Sequence, residues 1–203
     1  MAIYSMFSVP IIHYEIDNWQ QNKKRILDAL PPDCPEHRDS ANEGLYTDFF
    51  LAEEQGHTEL PDYSSTVIDI IKPYLIDFYD GKMQSQSQGN DHKESIEFTD
   101  MWYQKYDKTI QHTLHNHGSK GWSSVIYVEF DHNVHQGTDF VAPFFDTWTG
   151  DMQFYTPNVR EGDMILFPSY IMHQALPNKS EKRRTVISYN LRGYIEGVKA
   201  PYK

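Results

Sequence analysis

Two stretches of the first eighty residues repeat their apolar positions at helical spacing, and most of the chain after residue 96 alternates as strands do. Ile26, Leu27 and Leu30 mark one stripe on a segment predicted helical over 19–30. Asn18 stands ready to cap it and Pro31-Pro32 to stop it. Val67, Ile68, Ile71, Leu75 and Phe78 form a second stripe over 65–80, with Asp62 or Ser64 as its cap. Pro73 falls inside that stripe and predicts a kink or a fresh turn. Ahead of both helices, residues 7–16 read as a short strand, and Pro10 marks it as an edge or a strand start. Each helix has one apolar face, so both are expected to pack outside a sheet.

Residues 96–106, 122–130, 151–155, 163–167 and 185–191 read as strands, joined by turns that carry Gly118, Gly121, Gly137, Gly150 and Gly162. Short strands at this spacing predict an antiparallel barrel or sandwich rather than βα units. GxGxxG, P-loop and GxSxG motifs are all missing, and no internal repeat is visible. Residues 81–95 hold almost no apolar anchor and are expected to form an exposed, mobile loop. A single domain over 1–203 follows, with helical decoration to about 80 and a β core from about 96 to 192.

Composition sharpens this in three ways. Fourteen Tyr, eleven Phe and four Trp among 203 residues can fill a large core. Lys and Arg number 18 against 29 acidic residues, a formal charge of -11, which argues against nonspecific nucleic-acid binding. A small anionic ligand remains compatible, because one local Arg can dominate a pocket. The single cysteine, Cys34, cannot form an internal disulfide, and a reducing, cytoplasmic setting is expected. The N-terminus has no basic start or continuous apolar run, and no window suits a membrane span.

The chemistry concentrates in histidines. His115 and His117 stand at i and i+2 on an extended segment, so both rings face one side if the strand persists through Asn116. Such a pair can hold one metal ion. His112, three residues before His115, should then face away. His173 follows 56 residues after His117, where Pro168-Ser169 breaks an apolar strand. His13, His37, His57, His132 and His135 sit in polar contexts and read as non-ligating. In the last strand, alternation places Arg184, Val186, Ser188 and Asn190 on one face. If that face is internal, a buried Arg is costly unless it meets an anion, and its planar fork suits a carboxylate.

With these residues in place, the chain resembles the iron(II)- and 2-oxoglutarate-dependent oxygenases, in particular the prolyl-hydroxylase-like branch and its small bacterial and phage relatives. The resemblance covers about 96–192. It rests on Tyr106 nine residues before His115, on Ser123 with Tyr127-Val128, and on the Gly162-Asp163 to Phe167-Pro168 approach to His173. Arg184, eleven residues beyond His173, completes it. It implies a double-stranded β-helix, or jelly-roll, core of cupin type, and a hydroxylase using Fe(II), 2-oxoglutarate and dioxygen on an unidentified small-molecule or peptidyl substrate. By the same resemblance His115, His117 and His173 would ligate the metal. Arg184 would pair with the far carboxylate of 2-oxoglutarate, with Tyr106, Ser123 and Tyr127 as further contacts. A phage origin would put the protein in a host cytoplasm.

One position departs from the family pattern. His117 stands where an aspartate or glutamate is normal. A three-histidine site is the first expectation. The alternatives are a two-histidine site, or a carboxylate reaching in from Glu129, Asp131, Asp139 or Asp146, with Asp139 first among them. A non-catalytic jelly-roll protein and a three-histidine dioxygenase that uses no 2-oxoglutarate are the competing functions. Among the aromatic residues, Phe144, Phe145 and Trp148 are expected on the substrate side.

Overall fold

The alternating runs build two antiparallel sheets whose inner faces meet. In the computed structural model, residues 8–33, 44–50, 59–86 and 94–195 are described. The elements are β1 (Ile12–Glu15), α1 (Trp19–Ala29), β2 (Leu45–Thr47), α2 (Ser64–Gln86), β3 (Glu94–Tyr106), β4 (His112–His115), β5 (Trp122–Glu129), β6 (Thr138–Phe145), β7 (Met152–Tyr155), β8 (Asp163–Pro168), β9 (His173–Ala175) and β10 (Arg184–Ile195).

The larger sheet has the order β1-β8-β5-β10-β3-β2 and the smaller β4-β9-β6-β7. From β3 onward the chain winds between them, so that β3, β5, β8 and β10 lie in one sheet and β4, β6, β7 and β9 in the other. That is the jelly roll expected from the motifs. Among the described strands β1 pairs with β8 alone and forms an edge, as Pro10 indicated. β2 forms the other edge beside β3. It comes from a polar stretch in which no strand was anticipated.

Alternation divides the apolar residues into two clusters. Ile126 and Val128 of β5, Met164 and Leu166 of β8, and Ile187 and Tyr189 of β10 face outward and pack under Ile26 of α1 and Val67, Ile71 and Phe78 of α2. The opposite parity, Val125, Tyr127, Ile165, Phe167 and Val186, faces inward with Phe140 of the smaller sheet. The helices therefore close the outer face of the larger sheet and leave the space between the sheets to the site. Gly121 lets β5 begin hard against β10. Its φ is +95°, and a Cβ there would lie 2.3 Å from the Leu191 carbonyl oxygen.

Two local expectations change, at Asn18 and over 81–95. Asn18 stands at the N-cap of α1 but in left-handed backbone (φ 52°), with no side-chain cap bond. Pro73 lies inside α2 without ending it. That helix also runs on to Gln86, and β3 begins at Glu94, so the loop expected over 81–95 is shorter; its middle, 87–93, lies outside the described residues, as do Cys34, His37 and His57. No described helix is long and apolar enough to cross a membrane.

Candidate metal centre

β4 and β9 pair antiparallel, with His115 directly opposite His173. β4 ends at His115, so His117 projects from the connection to β5, where its backbone N–H donates to the Ser169 carbonyl at 2.9 Å. The strand does not persist through Asn116, yet both rings still converge. Ring centroids are 4.4 Å apart for His115 and His173, and 5.1 Å for His117 to either of them. One nitrogen from each ring lies within 4.8 Å of the others. Among the described residues this is the one cluster of His, Cys, Asp and Glu with metal-ligand spacing.

Outer contacts settle which nitrogens face inward. His115 Nδ1 lies 2.7 Å from the Thr113 carbonyl oxygen and His173 Nδ1 2.9 Å from that of Ile171. A carbonyl only accepts, so both Nδ1 atoms carry the proton and each Nε2 keeps a lone pair. Burial lowers the pKa of His117 to about 4 and of His173 to about 3, and neighbouring histidines push the same way. His115 is lowered too, again chiefly by burial. At neutral pH the three rings are uncharged donors.

His112 does not face away. A register irregularity between His112 and His115 turns it to the same side, and its ring stacks on His115 at 4.1 Å. Gln104 Nε2 lies 3.0 Å from its Nδ1. The four carboxylates considered at position 117's expense all lie elsewhere. Asp139 is buried, accepting from Thr156 at 2.6 Å and Gln174 at 2.9 Å. Glu129 accepts from Thr185, Asp131 pairs with Lys182, and Asp146 organises the exposed turn after β6. His13 pairs with Asp163 at 2.9 Å, and His135 bonds the Asp131 N–H and the Lys182 carbonyl.

The cavity continues from the histidines to Arg184, past Tyr106, Ser123, Tyr127, Val186 and Ser188. Arg184 is 3% exposed. It donates to the carbonyls of Gln136 and Leu176, both at 3.1 Å, and lies 4.3 Å over the Tyr106 ring. Burial lowers its pKa, but an arginine keeps its charge. No carboxylate pairs with it among the described residues. A buried cation without a counter-charge, at the end of a cavity, fits an anionic ligand. Tyr127 Oη meets the Thr138 hydroxyl at 2.9 Å and accepts its N–H at 3.0 Å. The Ser123 hydroxyl donates to Asn190 at 2.8 Å and lies 3.0 Å from Ser169 Oγ.

Trp102 stacks on His117 at 5.4 Å. Phe144, Phe145 and Trp148, expected on the substrate side, stand at the outer end of the β6–β7 hairpin, 50–95% exposed, and do not line this cavity. Period-two counting back from Tyr106 would have found Gln104, Trp102 and Asp100 on the inner face. Nothing in the sequence marks the irregularity that turns His112.

A family profile described as "Putative 2OG-Fe(II) oxygenase" matches residues 100–190, the stretch that holds all of these residues. No curated protein matches the chain. Among solved structures, the chain is similar to the non-heme alpha-ketoglutarate-dependent epimerase SnoN from nogalamycin biosynthesis, at 12% identity, 95% of this chain, 86% of that one and a TM-score of 0.57. It is similar to the viral collagen prolyl hydroxylase of Paramecium Bursaria Chlorella virus-1 at 16% identity, 89% of this chain, 94% of that one and a TM-score of 0.53. It spans 58% of a 2OG-Fe(II) oxygenase family oxidoreductase from Burkholderia pseudomallei, over 66% of its own length, at 15% identity and a TM-score of 0.43.

Proposed function

We propose, from the match of residues 100–190 to the 2OG-Fe(II) oxygenase profile and from the geometry of the site, that the protein is an Fe(II)- and 2-oxoglutarate-dependent oxygenase. Its substrate would be a small molecule or a peptidyl group, and its reaction hydroxylation. The observation that carries this reading is a single cavity with three convergent neutral imidazoles at one end and an unpaired buried guanidinium at the other.

The donor set fits the metal. Neutral imidazole suits ferrous iron, and three such ligands from β4, its connection to β5, and β9 leave coordination positions open. A centre with His117 in place of a carboxylate carries one more positive charge, which alters its redox behaviour. When bound, Fe(II) and 2-oxoglutarate activate dioxygen, the keto acid leaving as succinate and carbon dioxide while one oxygen atom goes to substrate.

The protein's part is to hold and to exclude. Arg184, fixed by two carbonyls and by the Tyr106 face, presents its remaining N–H groups to the far carboxylate of the cosubstrate. Thr138 orients the Tyr127 hydroxyl beside the same path. Val125, Phe167 and Val186 supply apolar walls, and Trp102 covers His117, keeping bulk water away from the centre. Ser123, with its hydroxyl committed to Asn190 and Ser169, serves the site through those contacts.

Anaerobic titration of the metal-free protein with Fe(II) and then 2-oxoglutarate tests the proposal. A visible charge-transfer band that needs both additions is expected. Failure of the wild type to bind Fe(II) overturns the reading. Arg184→Ala should weaken 2-oxoglutarate binding by about 2 kcal/mol or more while leaving Fe(II) affinity intact. Equal cosubstrate affinity in that variant would remove Arg184 from the site. The reading without 2-oxoglutarate predicts no charge-transfer band with the keto acid in either protein, and it leaves the buried guanidinium without a task.

A further inference from the structure

Eleven large apolar side chains stand exposed among the described residues, and six of them fall within 144–155 of the β6–β7 hairpin. Phe144 and Phe145 end β6, Trp148 stands in the turn, and Met152, Phe154 and Tyr155 make up most of β7. They are 47–95% exposed. With about 200 Å² on each such side chain, they present on the order of 700 Å² to solvent, more than the roughly 300–600 Å² of the largest patch on an ordinary monomer. The turn that carries Trp148 is well tied. Asp146 Oδ1 accepts the backbone N–H of Trp148 at 2.8 Å and of Thr149 at 2.9 Å, and the Asp146 carbonyl accepts from Gly150 at 2.9 Å. The most exposed ring of the six is therefore held out on a fixed backbone.

The same hairpin borders an apolar groove of about 480 Å³, lined by Val9, Ile11, Phe140, Phe144, Tyr155 and Ile171 among others, none of them charged. One surface thus carries both a projecting ring and a hollow. β7 is the last strand of its sheet, so one of its edges is unpaired among the described strands. Residues 152–155 have neither a charge nor a proline to protect that edge. Antiparallel pairing of two such edges about a two-fold axis sets each turn toward the far end of the other β7, where Tyr155 borders the groove.

We propose that the β6–β7 hairpin is a homodimer interface: a second copy of this chain pairs with β7, and each Trp148 enters the groove of the other. A two-fold contact needs both halves of the fit on one surface, and this hairpin has both. The area suits it, since a standard interface takes about 800 Å² from each partner. Charge does not recruit a different partner here. Residues 138–155 contain no Lys or Arg, and Asp139 and Asp146 are engaged by neighbouring donors. Apolar burial holds the pair. β4, which carries His115, lies at the opposite edge of that sheet, so the contact does not involve the metal centre or depend on its reaction.

Sedimentation velocity of the full chain tests this. At about 100 µM at least half of the protein is expected as dimer, dissociating on dilution. Trp148→Ala, at an exposed position, should weaken association at least about 30-fold and leave the circular dichroism of the dilute protein unchanged. Two protomers of formal charge -11 repel, so raising NaCl from roughly 50 to 500 mM should tighten the dimer. Ala142 also lines the groove, and Ala142→Trp, which fills it from its own chain, should weaken the dimer as well. Mixed in equal amounts, the two variants recover one of the two Trp148–groove contacts. The mixture should therefore dimerise more tightly than either variant alone. A wild type that stays monomeric at about 100 µM overturns the proposal and leaves the hairpin to a partner of another sequence. A dimer that Trp148→Ala does not weaken, one that salt dissociates, or a mixture no tighter than its components overturns it too.

Discussion

A histidine ligates only through a nitrogen that carries no proton, so the outer contacts of a ring matter as much as its position. His115 and His173 satisfy this with Nδ1 bound to carbonyls. His112 shares their cavity but differs in role. Gln104 Nε2 donates to its Nδ1, which leaves the proton on Nε2, the nitrogen a metal would need. His112→Ala should therefore keep Fe(II) affinity within about tenfold of wild type, the scale of an outer-shell effect, whereas His173→Ala should abolish it. Isothermal titration under argon decides between them. Loss of binding in His112→Ala would make it a fourth ligand. At this scale the sequence was informative about identity and poor about direction. His115, His173 and Arg184 were legible from motif and alternation. The inward turn of His112 was not, because it depends on how β4 slips against β9.

Elements were legible in proportion to their length. α1 and α2 announce themselves through repeated apolar positions, and β5, β8 and β10 through alternation. β2 and β9 have three residues each, too few for any period, and they exist because a neighbouring strand offers hydrogen bonds. α2 overrides a local signal instead. Pro73 removes one helical hydrogen bond, but Val67, Ile70, Ile71 and Phe78 are buried against the sheet on either side of it. Tertiary packing holds the helix together across the proline. Pro73 itself is exposed, so Pro73→Ala should stabilise the protein by about 1–3 kcal/mol, read as a rise in thermal midpoint. A fall would show that the packing of α2 on the sheet needs proline at this position. The β6–β7 hairpin leaves its aromatics exposed, outside the lining of the histidine cavity. Residue type alone does not say which end of a hairpin meets a pocket.

For the whole molecule, burying four imidazoles between two sheets has a consequence for acid stability. His112 and His117 have pKa values lowered to about 4, and His173 to about 3, against about 6.5 in an unfolded chain. Between those values the unfolded chain binds more protons than the folded one, so stability rises with pH there. The metal-free protein should be at full strength above about pH 6.5 and lose stability steadily as pH falls toward about 4. The carboxylates of Asp33 and Asp131, held low by cationic partners, add to the loss only at more acid pH. Urea midpoints at pH 7, 6, 5 and 4 read this directly. A flat profile from pH 6.5 to 4.5 would mean that the rings are solvated rather than enclosed.

By itself the sequence determined the material of this protein: which residues can be buried, where helix period gives way to strand period, and which side chains carry chemistry. Those properties are local, written in spacing and residue type. Only the tertiary structure decided the meeting. Strand pairing sets His115 opposite His173 and seats Asn190 between Asp100 and Ser123. The winding of the jelly roll puts Arg184 at the far end of the same cavity. A hydrogen-bond register between strands is a property of pairs distant in the chain, and each such pair is chosen by everything else that packs around it.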